Sequence, residues 1–282
     1  LRFENYFETG EDGKSLPYLD AVDAYPKAED KVRLTALRAG EVDMIENMSF
    51  FDAPDFAENE ADKYDIWKSP QVGLAHFNIQ AKSGPFAMSG GEDAKLLRQA
   101  VVHAIDKEAV HQVVFNGLGE KMNTFYASES PWHLPDVKAG PEYDPEKTRF
   151  ILRKLNMANM PIAVVSQNAY QYMRNGAEIL HAMLLEAGFA ATNEGFDNPV
   201  LTAKYDKNDY GIDSTASSFR FDPDGHYARW FRSDAPNNLQ RTGFANERVD
   251  KLVDEAAATT DMNLRKEMYT EVDNIVNDEC VF

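Results

Sequence analysis

Hydrophobic positions recur at helical spacing most clearly between Asp93 and Gly119. Leu96, Leu97, Ala100, Val101, Ala104 and Ile105 fall on one side of a helix, with Lys95, Arg98 and Gln99 on the other. This spacing predicts two helices in series, hinged at Ile105-Asp106. Asp106 caps the second helix, and Glu108 sits in its first turn, where the helix dipole favours an anion. Val110, Val113 and Val114 carry the apolar face onward. Asn116, Gly117 and Gly119 end it, because these residue types tolerate the left-handed backbone of a helix exit.

The remaining pattern alternates between strand and helix. Residues 1–26 read as a strand, a turn at Gly10, Asp12 and Gly13, and a second strand over Leu19 to Tyr25. Lys31 to Ala39 reads as a helix stopped by Gly40, followed by a short strand at Val42, Met44 and Ile45 and a short helix around Asp55 to Glu60. Ile66 to Ser69 and Val72 to Ile79 read as strands, and Ala81 to Gly91 as a loop. Glu120 to Asp144 is irregular, and a loop of that length inside a compact domain is usually functional or partly mobile. Asp144-Pro145-Glu146 starts a helix with Phe150, Ile151 and Leu155 on its core face. Then come a strand at Pro161 to Ser166, a helix at Met173 to Glu186, strands at Phe189 to Asn193 and Tyr210 to Ala216, and two closing helices near Glu247–Ala258 and Leu264–Asn277. Such alternation implies an α/β fold with a mixed sheet flanked by helices.

Composition narrows the function classes. The 282 residues include 43% hydrophobic ones, enough for a sizeable core, and the mean hydropathy of -0.50 comes with no long uncharged apolar run. A net charge of -18 repels nucleic acid phosphate and anionic lipid, so neither nucleic acid nor direct membrane insertion is expected. One cysteine, Cys280, excludes an internal disulfide and a cysteine-based metal site. Leu1-Arg2-Phe3-Glu4 has neither the basic nor the apolar region of a signal peptide. With no initiator methionine, and an apolar run just starting at Cys280-Val281-Phe282, both ends read as cut.

Candidate chemistry is sparse. In Asp222-Pro223-Asp224-Gly225-His226, two carboxylates and an imidazole alternate as a divalent-metal chelate would require. The same five residues fit a helix start better: Asp222 caps, Pro223 takes the first helical position, and Tyr227, Trp230 and Phe231 pack inward. The histidines are dispersed, and no catalytic-histidine, serine-nucleophile or phosphate-loop motif occurs, so no cofactor is expected. Aromatic and amide residues gather in irregular segments: Phe125, Tyr126 and Trp132, then Gln167, Asn168, Tyr170 and Tyr172, then Phe219 and Phe221. Apolar faces with a few hydrogen-bonding tips suit a small-molecule or peptide cleft, and equally an ordinary core. The residues alone point to an acidic α/β protein that binds rather than catalyses.

The wording of the central helices, Leu96-Leu97-Arg98-Gln99-Ala100 through Ala104-Ile105-Asp106-Lys107 to Asn116-Gly117, resembles the peptide- and nickel-type solute-binding proteins of ABC importers. Asn5-Tyr6-Phe7 with Pro17-Tyr18-Leu19-Asp20, Arg33 to Asp43, Tyr143 to Lys147, and Asp222-Pro223-Asp224-Gly225 agree in the same order. The resemblance implies a periplasmic-binding-protein type II-like fold of which this chain is an internal portion, mostly one lobe. Residues 1–72 would be a remnant of the first, larger lobe and residues 73–282 the second lobe, joined by a crossing strand near Val72 to Ile79. It further implies a periplasmic or extracellular, membrane-associated protein that is not an enzyme. Such a protein captures an oligopeptide or similar small polar solute between its lobes and delivers it to an inner-membrane ABC permease. The alternative is a metal-dependent hydrolase using Asp222, Asp224 and His226. The implied ligand-contacting residues are Phe125, Trp132, Gln167, Asn168, Tyr170, Ser217, Ser218, Phe219, Arg220 and Asp222. By the same resemblance, Phe219 stands where dipeptide binders place an aspartate for the ligand amine. Gln167 stands where some place an arginine for its carboxylate, with Arg174 the nearest substitute. Both anchors are missing, which turns the expectation toward longer peptides or sugar- or opine-like solutes. A remnant without sheet partners leaves unpaired edges, so residues 1–72 are expected to pack in a non-native way or to self-associate. Sedimentation checks this: a monodisperse monomer with those residues well ordered would count against it.

Overall fold

The computed structural model describes residues 2–69 and 73–282, which group into two compact units, one ending at Glu58 and one running from Asn59 to Phe282. The first unit contains α1 (Asp30–Arg38) and α2 (Ala53–Asn59). Leu34, Ala36 and Leu37 of α1 and Phe56 of α2 are buried, and the Arg38 guanidinium lies 5.6 Å from the centre of the Phe56 ring. The strands expected in residues 1–26 and at Val42 to Ile45 do not form; a single bridge between Thr9 and Ser15 takes their place. Strands need a neighbouring edge to satisfy their backbone groups, and no described strand of this unit supplies one. Phe3, Phe7, Tyr18, Leu19, Val22, Tyr25 and Met44 consequently remain exposed.

The second unit is built on β1 (Gly73–Ile79). The expected strand at Ile66–Ser69 is irregular, while Pro70 to Val72, including the expected boundary at residue 72, lie outside the described residues. α3 (Gly91–His103) and α4 (Lys107–Phe115) follow, as the hydrophobic spacing predicts. Asp106 caps α4 by accepting from the backbone N–H groups of Glu108 (3.0 Å) and Ala109 (3.1 Å), and Asn116 exits in the left-handed region with φ 53°. Two positions depart from the pattern. Val113 is exposed. Arg98, expected on the polar side, is buried, and its guanidinium donates to Phe86 O (2.9 Å), Glu279 O (2.7 Å) and Glu279 Oε2 (2.6 Å).

Residues 120–144 stay irregular, then α5 (Pro145–Lys154) begins with Asp144 Oδ1 accepting from Lys147 N at 2.9 Å. Its core face is Thr148, Ile151 and Leu152; Phe150, expected inside, is exposed. β2 (Pro161–Gln167), α6 (Gln171–Glu186), β3 (Ala190–Phe196), α7 (Asn198–Lys207) and β4 (Ile212–Ser218) complete the sheet. α8 (Asp224–Trp230), α9 (Pro236–Arg241), α10 (Glu247–Ala257) and α11 (Met262–Glu279) close the chain.

The sheet order is β1-β4-β2-β3, with β2 parallel to both neighbours and β1 antiparallel to β4. Alternation along the strands sends Phe77, Ile79, Ile162, Val164 and Ile212 to one face, where they form a core with α3, α5 and α6. The opposite face turns Val165 toward Leu201 and Tyr205 of α7 and Tyr210. A separate, largely aromatic core joins α8, α10 and α11 to Phe125, Tyr126 and Leu134 of the irregular segment.

Candidate functional site

Because β2, β3 and β4 run parallel, their carboxyl ends open on one edge of the sheet, the edge where open α/β sheets place ligands. Gly73 pairs with Ser218, so the start of β1 joins the same edge. β2 delivers Gln167 and Asn168 there, and Tyr170 stands at the start of α6. Asn168 is fixed in three ways. Its N–H donates to Phe196 O (2.9 Å), its carbonyl accepts from the Arg174 guanidinium, and its side chain lies over Gly195, where a Cβ would come within 2.2 Å of Asn168 Oδ1. Glycine at 195 is what lets the amide lie there.

β4 runs on past the end of β2 and delivers Ser217, Ser218, Phe219 and Arg220. Ser217 is buried, with its Oγ 3.1 Å from His76 Nε2. His76 is stacked against Phe282 at 4.8 Å, and burial, aided by the nearby Arg241 charge, pushes its imidazole down to about 3. It is a neutral hydrogen-bonding strut. The Tyr126 hydroxyl donates to Arg220 O at 3.1 Å, and its ring meets Phe219 edge-on at 6.0 Å, so the irregular segment braces this turn.

Asp222 and Trp132 are joined through a residue that sequence reasoning passes over. Arg265, on α11, donates from Nη1 and Nη2 to the two carboxylate oxygens of Asp222 at 2.9 and 2.6 Å, and its guanidinium lies 4.8 Å from the Trp132 ring centre. This fork holds the Asp222 carboxyl below its usual range. Asp222 Oδ1 also accepts from Asp224 N at 2.9 Å, serving the first turn of α8.

Phe125 departs from the expected cleft. It is buried, stacked on His226 at 4.6 Å and packed against Tyr227 and Phe231, the surroundings of a core residue. A cavity of about 240 Å³ does reach Phe125, but it is walled by α3, α4, residues 120–125, β1, the start of α6, β4 and α11, and none of the other expected contact residues lines it.

Residues 1–238 match the sequence model of the bacterial extracellular solute-binding proteins, family 5, middle region. The chain belongs to this family. Heme-binding protein A of Haemophilus influenzae is 25% identical over 261 residues, covering 88% of this chain and 45% of that protein. The dipeptide-binding protein of Escherichia coli is 24% identical over 294 residues, covering 99% of this chain and 50% of that protein. The chain thus spans about half the length of the curated relatives it matches. Among solved structures, the ABC transporter-associated periplasmic binding protein DppA from Helicobacter pylori, in complex with peptide STSA, superposes with a TM-score of 0.76 at 18% identity over 89% of this chain and 48% of that one. That likeness establishes the fold: the mixed sheet flanked by helices of the type II periplasmic-binding proteins.

Family 5 comprises binding proteins, and the geometry agrees in correcting the hydrolase alternative. Asp222 is already committed to Arg265. His226 is buried against Phe125, and that burial, with Arg220 and Arg229 nearby, drives its imidazole down to about 4. Among the described residues no three His, Cys, Asp or Glu side chains are placed to hold a metal. The Asp-Pro-Asp-Gly-His run is the start of α8, with Tyr227, Trp230 and Phe231 buried beneath it. No described helix is long and apolar enough to cross a membrane.

Proposed function

We propose that the chain is the solute-contacting part of a binding protein that serves an ABC importer. In this reading residues 73–282 form the second lobe of a two-lobed protein, and residues 1–72 belong to the first. The observation that carries it is the shared sheet edge, where Gln167, Asn168 and Tyr170 from β2 and α6 meet Ser217 to Arg220 from β4. Backbone and side-chain amides, hydroxyls and aromatic rings at strand ends are the materials of a small-solute site. The solute is a peptide or a similar small polar molecule, held between the lobes by hinge closure and handed to a membrane permease. Support for the solute class comes from relatives named for dipeptide and heme binding and from a structural neighbour bound to a peptide. The protein works in the periplasm or at the outer face of the cell membrane, as the family's extracellular description suggests.

Calorimetric titration of the full two-lobed protein with peptide, sugar and opine panels tests this. One class is expected to give saturable heats that a chelator leaves unchanged. Heats equal to dilution for every class, or binding abolished by the chelator, would overturn the reading.

A further inference from the structure

The edge just described contains a cation without a counter-ion. Arg220 leaves β4 two residues after Ser218, and its backbone is pinned by the hydrogen bond from Tyr126 Oη to its carbonyl at 3.1 Å. Its side-chain stem lies across Gly225, where a Cβ would sit 3.1, 3.2 and 3.3 Å from Arg220 Cγ, Cβ and Cδ. The stem is therefore held against the backbone of α8. The guanidinium at its end makes one hydrogen bond, from Nη1 to Phe219 O at 3.3 Å, and pairs with no carboxylate among the described residues.

That absence runs against the composition, since 47 acidic residues stand against 29 basic ones. The carboxylate nearest in sequence, Asp222, is two residues away, yet Arg265 occupies both of its oxygens. The exposed Asp197 stands at the start of α7 beyond β3, two strands from β4 in the sheet. Phe219 and Phe221 flank the guanidinium in sequence with their rings 5.4 Å apart, and Phe221 is 89% exposed. An arginine with an ordered stem, an unpaired planar fork and aromatic neighbours is built to receive a planar anion in two parallel hydrogen bonds.

We propose that Arg220 anchors a carboxylate of the solute, with Phe219 and Phe221 against its apolar part. This rests on the solute-binding reading and narrows it to acidic solutes. The Asp222–Arg265 pair keeps Asp222 from neutralising Arg220, so the site stays cationic within an acidic chain.

The test titrates the full two-lobed protein that carries this chain with three forms of one short peptide: the free acid with neutral side chains, its carboxyl-terminal amide, and that amide carrying one glutamate. The free acid or the glutamate amide should bind about 10- to 100-fold tighter than the neutral amide, the range for hydrogen bonds to a charged group. Which of the two is preferred tells a terminal from a side-chain carboxylate. Arg220→Gln should abolish the preference, Arg220→Lys should keep part of it, and Arg229→Gln, at an exposed position on α8, should keep all of it. Equal affinity for all three forms, or an undiminished preference in Arg220→Gln, overturns the proposal while leaving solute binding intact. If none of the three binds while a sugar does, the acidic-solute assignment falls. If no solute binds at all, the solute-binding reading falls with it.

Discussion

Leu180→Ala should destabilise the second unit by about 2–5 kcal/mol, the range for deleting a fully enclosed leucine and leaving a cavity. Leu180 is fully buried in the middle of α6, within the cluster that holds Val164, Ile212 and Leu97. The surroundings have little room to collapse. One turn earlier, Gly176 brings α6 so near the sheet that a Cβ there would lie 2.8 Å from Ser214 Oγ, and Ser214 Oγ itself donates to Met173 O at 2.9 Å. The helix is held against β4 within the two turns that precede the site, which limits its freedom to slide into the void. Urea denaturation of the variant beside Leu185→Ala, an exposed position on the same helix, makes the comparison. The exposed change should stay within about 0.5 kcal/mol. A loss below about 1 kcal/mol at Leu180 would contradict the packing of α6 described above.

The second large effect belongs to pH. Asp273 on α11 is buried, and that burial pushes its carboxyl up to about 7, although the Tyr227 hydroxyl donates to it at 2.8 Å and lowers it in part. In the unfolded chain the same group releases its proton near 3.8. Between those values the folded chain holds the extra proton, so raising the pH favours unfolding. The resulting penalty is absent below about pH 4 and complete above about pH 7, where it is on the order of 4 kcal/mol. Asp273→Asn keeps an acceptor for Tyr227 and removes the titration. The variant should match the parent near pH 4 and exceed it in stability near pH 8, as read from urea midpoints across that range. Identical pH slopes for the two proteins would refute the account.

Much of the scaffold was legible because its elements carry local signals. The α3–α4 pair has both a periodic apolar face and a capping aspartate, and α5 and α8 start at Asp-Pro turns. α7 escaped notice because only Leu201 and Tyr205 of its ten residues are buried, too few to mark a face. Residues 1–26 misled in the opposite direction. Alternation there has strand character, but a strand is completed by a neighbour, and sequence pattern cannot show whether one is present. At the site, strand-end residues such as Gln167 and Ser217 are reached through the family resemblance. Arg265 is not, since it lies 43 positions from Asp222 and reaches Trp132 only through the tertiary fold. Phe125 shows the limit of residue type as evidence, because an aromatic ring suits a cleft and a core equally well, and its neighbours decide.

The stacking of Arg265 on Trp132 also gives the protein an optical handle. Its three tryptophans occupy three different surroundings: Trp67 is 92% exposed, Trp230 is 4% exposed, and Trp132 is half-buried beneath a guanidinium at the edge of the candidate site. An aqueous quencher should therefore extinguish Trp67 first and spare Trp230. The emission that lies between them reports on the turn that Arg265 holds, without any added label.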